Sequence, residues 1–254
     1  GGYGVLGNSG YNLINKGTIT GSNATASQTL IIAGTSFDNQ GTVLATGGGD
    51  VLINATNWTN TGTLQTATGS TLSLDGTFGT AALNGLVNTG GTTFINGTLN
   101  NVGNTLTLND SKGSLSFNTG LIQGGTLAVA IGSSAKYILS GNRSGTFDNV
   151  ILNTNVDITG NASLNIQNGL TLNSTITLGD QVGTSHAYMN WLGTQTLTGT
   201  GNIVFNANTA SGYTAYLRGS GAASTLTLDT GIGLQHTGGY GVLGNSGYNL
   251  INKG

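Results

Sequence analysis

Apolar residues in this chain alternate with polar ones in very short bursts. Val150 and Leu152, Val156 and Ile158, Leu164 and Ile166, Leu170 and Leu172, and Ile176 and Leu178 each form a pair spaced by two. Leu72 and Leu74, Leu106 and Leu108, Leu115 and Phe117, and Leu127 and Val129 repeat the pattern earlier in the chain. Spacing by two puts both apolar side chains on one face of an extended strand. Strands this short are unstable as isolated hairpins and need many neighbours in register. The chain must therefore stack.

A second regularity places the corners. An apolar residue, a spacer, Asn, a spacer and Gly occur at Leu13–Gly17, Phe37–Gly41, Trp58–Gly62, Leu86–Gly90 and Leu99–Gly103. From Asn15 to Asn39 to Asn60 the steps are 24 and 21 residues, one coil of a β-solenoid. Gly admits the positive φ of a corner, Asn tolerates it, and stacked Asn amides can form ladders. The spacing predicts an all-β chain folded as a parallel β-helix (β-solenoid). Roughly eleven coils of ~21 residues fit one period, with a rise near 50 Å at ~4.8 Å per coil. Antiparallel sandwiches and barrels alternate similarly but usually carry charged faces and varied hairpin loops.

The period is visible directly. The segment GGYGVLGNSGYNLINKG occupies residues 1–17 and recurs unchanged at 238–254, an offset of 237 residues. Residues 1–237 read as one repeat period and 238–254 as the first coil of the next. Selection on an active site gives no reason to copy its surroundings, whereas tandem arrays serve length, rigidity or display. Each copy would then cover the open strand edge of its neighbour, head to tail. That contact is heterologous and non-closing, so it makes fibres. The expected self-assembly residues are Tyr3, Leu6, Tyr11, Leu13 and Asn15, with Tyr240, Leu243, Tyr248, Leu250 and Asn252 in the second occurrence.

Composition narrows the function classes. Charged residues make up only 6%, Pro and Cys are absent, Gly numbers 46, and all eight acidic residues are Asp. So few helix-surface residues argue against surface helices. The 36% of hydrophobic residues and their alternation argue against disorder. A net charge of −2 offers no electrostatic reason to bind nucleic acid or anionic lipid. No apolar run approaches the ~20 residues of a membrane-spanning helix. The absence of a signal-like opening fits an internal fragment, and the absence of Cys suits a secreted protein.

The segments INKGTIT, FDNQGTVLA, WTNTGTLQTATGSTLSLDGTF, GTLNNVGNTLTLND and GTFDNVILNTNVDITGNASLNIQNGLTLNSTITLG resemble strand repeats of very large bacterial surface proteins. These are the filamentous-haemagglutinin-like and autotransporter-like exoproteins. The resemblance covers most of the period and weakens over residues 183–221. It implies a right-handed parallel β-helix, export to the bacterial cell surface, and adhesion or filament building. It brings no catalytic residues.

Local chemistry adds little. His186 and His236 are far apart in sequence and lack acidic neighbours, so a metal site is not expected. Asp148 and Asp157 are the nearest candidate pair for a β-helical polysaccharide hydrolase or lyase, but no Glu is present to act as a high-pKa acid. Gly47-Gly48-Gly49-Asp50 occurs once, where Ca²⁺-binding solenoids repeat such a motif in successive coils. Thr-x-Thr triplets at Thr18, Thr105, Thr175, Thr196 and Thr225 are too unevenly spaced for an ice-binding face. Sequons such as Asn23-Ala24-Thr25 and Asn57-Trp58-Thr59 mark acceptors only. Tyr3, Tyr11, Tyr188, Trp191, Tyr213 and Tyr216 flank the repeat junction, as core or as a lateral patch.

The expectation is a structural repeat of an extracellular filament, stalk or sheath fibre, without enzymatic activity or cofactor. Its partners would be identical repeats, with lateral rods or surface polysaccharide as further ones. An adhesin rod displaying a repeated carbohydrate- or surface-binding patch is the alternative.

Overall fold

The computed structural model describes residues 4–23, 28–210 and 212–254. It is a parallel β-solenoid of about 11 coils with almost no helix. Two compact units share the chain, one built mainly from residues 1–101 and the other mainly from 137–254.

In the first unit, three stacks of strands form the walls. Gly4–Leu6, Thr29–Asn39, Asp50–Asn60, Thr71–Leu74 and Thr92–Ile95 pair in parallel, each one coil beyond the last. Their register aligns Leu6, Ile32, Ile53, Leu74 and Ile95 in one inward column. Thr18–Gly21, Thr42–Ala45, Thr63–Ala67 and Leu86–Thr89 form another stack, with Ile19, Val43, Leu64 and Leu86 aligned. The period-2 pattern produces these columns. A slip of one residue in any strand would turn its apolar set to solvent. Trp58 and Phe78 stack at 4.4 Å between ring centroids, and Trp58 Nε1 donates to the Asp75 carbonyl at 2.7 Å.

The expected Asn corner exists, with a shorter reach than its motif. Asn15 Nδ2 donates to Asn39 Oδ1 at 2.7 Å, Asn39 Nδ2 to Asn60 Oδ1 at 2.6 Å, and Asn60 Nδ2 to the Ala82 carbonyl at 2.8 Å. A 3₁₀ turn, Thr80–Leu83, takes the place of a fourth amide. Asn88, the Asn of the motif's fourth occurrence, lies in another stack beside Thr66 and accepts from the Gly90 and Gly91 N–H groups. One motif thus serves two kinds of corner.

In the second unit the stacks continue in kind. Tyr137, Val156, Ile176, Ile203 and Leu234 align in one column, and Leu139, Ile158, Leu178, Phe205 and His236 in the next. Gly145, Leu164, Met189, Leu217 and Leu243 line a second wall. Residues 183–221, where the repeat grammar fades, nonetheless supply Ala187–Leu192, Gln195–Gly199, Asn202–Asn206 and Thr214–Ser220 to these stacks. Tyr137 is buried with its hydroxyl on the Leu106 carbonyl at 2.8 Å, and desolvation pushes its phenol far above the usual range.

Asn39 is fully buried and holds both neighbours of its ladder. Asn39→Ala orphans the buried Asn60 carbonyl oxygen and should cost about 2–3 kcal/mol in denaturant unfolding. Asn153→Ala, at an exposed ladder position, should stay within about 0.5 kcal/mol.

Candidate functional site

The seventeen-residue segment occurs twice, and the structure shows it paired on a different edge each time. In the first occurrence Gly4–Leu6 and Asn12–Asn15 pair with the coil that follows: Leu6 lies beside Ile32, Leu13 beside Phe37 and Asn15 beside Asn39. In the second, Tyr240–Leu243 and Asn249–Asn252 pair with the coil that precedes. There Leu243 lies beside Leu217, Leu250 beside Leu226 and Asn252 beside Leu228. All of these ladders are parallel, and the same positions face inward in both occurrences. Each ladder uses one edge of the segment's strands and, among the described residues, leaves the other without a ladder partner. Apolar exposure concentrates on these bare coils: Val5, Leu6, Tyr11 and Ile14 in one, and Tyr240, Val242, Leu243 and Ile251 in the other.

The second occurrence also carries a clasp, made by the expected Tyr248 together with Asn245 and Gly219, which sequence reading did not single out. Asn245 grips the backbone of Gly219 on both sides. Its Oδ1 accepts from the Gly219 N–H at 2.8 Å, and its Nδ2 donates to the Gly219 carbonyl at 3.2 Å. Tyr248 lies over the same glycine, in the space a side chain there would fill: a Cβ on Gly219 would sit 1.9 Å from Tyr248 Cδ1. The Tyr248 ring meets Trp191 edge-on at 6.0 Å, and its hydroxyl donates to the Gly221 carbonyl at 2.6 Å. In the first occurrence the same tyrosine, Tyr11, is 66% exposed. Lys253 adds an ion pair to Asp229 at 3.8 Å, both side chains being solvated, so its contribution is small.

Of the expected junction residues, Leu6, Leu13, Asn15, Leu243, Leu250 and Asn252 stand at inward ladder positions, and Tyr248 makes the clasp. Tyr11 and Tyr240 are exposed. Tyr3 lies outside the described residues, as do Ala24 and Thr25 of the first sequon.

The other candidates do not converge. Asp148 lies beside Gln123 and Gln167, whereas Asp157 lies in a separate ladder beside Ile138 and Thr177. Asp148 instead accepts from Gln167 and Asn168 at 3.1 and 2.7 Å. Gly47 and Gly48 have positive φ and make a tight turn ahead of Asp50. No cluster of three His, Asp or Glu side chains that could hold a metal occurs among the described residues. Thr196–Thr198 and Thr225–Thr227 are offset by two residues, so Thr196 lies beside Thr227 and the two triplets do not stack in register. Among the described residues no helix is long and apolar enough to cross a membrane. Asp110 accepts from the Ser133 hydroxyl and the Ser134 N–H, which hold its carboxyl below the ordinary range. This ties down the segment that follows the Ile131–Gly132 turn.

One outward cluster remains. Tyr188 and Tyr216 stack at 5.1 Å, Arg218 lies 4.4 Å over the Tyr188 ring, and His186 packs edge-on against Tyr213 at 5.4 Å. Arg218 Nε donates to Asn190 Oδ1 at 3.1 Å. Comparisons with family models, curated proteins and solved structures find no match.

Gly219→Val should drive Tyr248 off its seat, with the ~1–3 kcal/mol cost of overpacking. Hydrogen exchange should then accelerate about tenfold or more in 240–252 and stay unchanged in Asp50–Asn60. In a Trp58→Phe background, Tyr248→Ala should red-shift the emission of Trp191 as water reaches the indole.

Proposed function

We propose that the chain is a structural repeat of an extracellular bacterial filament, stalk or sheath fibre, extended by head-to-tail stacking of identical β-solenoid periods. The observation that carries this reading is the doubly paired segment. Its two occurrences, superposed, form one coil with both edges filled. Inward residues then run unbroken from Leu217 through Leu243 (Leu6) to Ile32, and from Leu226 through Leu250 (Leu13) to Phe37. The same positions pair on both sides, so neither ladder need shift to accommodate the other. The inward Leu6, Leu13, Leu243 and Leu250 of the two bare coils would be covered, at ~25 cal/mol per Å² of apolar area buried. The coils wind right-handed, as parallel crossovers do.

A second reading, an adhesin rod that displays a surface-binding patch, is favoured by the Tyr188–Tyr216–Arg218 cluster. Such a patch would recur once per period. Glycan-array binding that falls at least tenfold on Arg218→Ala and Tyr216→Ala would support it, and no binding to any glycan would remove it.

The test of the first reading is electron microscopy of the native material, together with its mass after full denaturation. Filaments are expected. A denatured mass many times 25.4 kDa means one covalent tandem chain, and a mass near one period means separate stacked subunits. Particles of a single period that never form filaments would sink the reading.

A further inference from the structure

The shared segment accounts for two of the three walls at the junction and leaves one open. Thr18–Gly21 pairs with Thr42–Ala45 on one edge, and its other edge has no ladder partner among the described residues. Gly233–Gly238 pairs with Asn202–Asn206 and is likewise bare on its far edge among the described residues. Beside that edge lies an open hollow lined by Phe205, His236, Gly241 and Leu243.

Resting on the stacking reading above, we propose that these two edges are partners: Thr18–Gly21 of the following period pairs in parallel with Gly233–Gly238 and roofs the hollow. Three observations converge on this occupant. The second occurrence of the segment ends in Asn252-Lys253-Gly254, and in the first the same three residues lead directly into Thr18. In the other two walls each strand of the segment takes its place one coil beyond its predecessor, so the strand that follows it falls on Gly233–Gly238. The inward faces also match in parity. Ile19 and Gly21 point inward beside Val43 and Ala45, and Leu234 and His236 point inward beside Ile203 and Phe205.

Parity and size set the register. Ile19 lies on Leu234, Thr20 beside Gln235, and Gly21 over His236. The imidazole is the bulkiest inward group of that strand, with Nε2 2.8 Å from the Gly239 carbonyl. Gly21 brings no side chain against it, whereas a two-residue slip in one direction would press Ile19 onto the ring. A one-residue slip would turn Ile19 to solvent.

The absence of native Cys makes a disulfide test clean. The full chain is continued past Gly254 with the sequence of residues 18–45, and Gln235→Cys is combined with Thr20→Cys in the appended copy only. Neighbouring parallel strands lie ~4.8 Å apart, within disulfide reach. Mild oxidation followed by mass analysis should show this pair closing at least tenfold faster than Gln235→Cys with the appended Thr18→Cys. A control, Thr227→Cys with Ile251→Cys, probes the wall already paired in the structure. If the control closes and the Gln235–Thr20 pair does not, or if the slipped pair closes as fast, the third-wall pairing is wrong and stacking stands. If the control itself stays open, the shared coil is not seated, and the stacking reading falls with the proposal.

Discussion

Everything in this molecule depends on parallel backbone pairing between one coil and the next. No strand is stable alone, and most run only three to five residues. Each is held by hydrogen bonds to the coils before and after it, and by inward side chains that stack in columns such as Ile32, Ile53, Leu74 and Ile95. Register and burial enforce each other: the ladder fixes which residues align, and alignment fixes which face is dry. A coil with only one neighbour loses half of both. The two occurrences of the repeated segment are in that condition, which is why even their inward Leu6 and Leu243 lie exposed.

Much of the architecture was legible in the residues. Alternation by two predicted the strand pairs from Val150 to Leu178, all of which are inward positions of solenoid strands. Coil-length spacing of Asn15, Asn39 and Asn60 predicted their common corner. Local pattern could not reveal what the corner does a coil later. Leu86-Val87-Asn88-Thr89-Gly90 has the same grammar, yet its Asn turns the chain at a different wall: the Thr80–Leu83 turn takes the place that follows Asn60, and Leu86–Thr89 pairs with Thr63–Ala67. The weak repeat grammar of residues 183–221 hid ordinary solenoid strands. Their inward positions mix Met189, Trp191 and Ala215 with the usual Leu and Ile, here Leu197, Ile203 and Leu217.

Within the repeated segment the inward positions were legible, and the contacts that hold its second occurrence were not. Exact recurrence singled out the segment, and its inward Leu6, Leu13, Leu243 and Leu250 follow from alternation. The clasp did not follow. Asn245 and Tyr248 act on Gly219, 26 and 29 residues away, through a backbone carbonyl, a backbone N–H and an empty side-chain space. None of these leaves a mark in residue type beyond a glycine among many. A missing side chain is informative only once the fold shows what occupies the space.

The amide row at the Asn15 corner has a consequence for how copies can meet. Asn15 donates to Asn39, Asn39 to Asn60, and Asn60 to the Ala82 carbonyl, so all three carboxamide dipoles point along the coil axis in one sense. The parallel strands add a second polarity, because they all run in one direction and the two ends of a stack are therefore different surfaces. At the amide corner, two such units meeting face to same face would oppose donor to donor or acceptor to acceptor. Any polymer built from them is therefore a vectorial object with a distinct leading and trailing end, and its growth at the two ends should proceed at different rates.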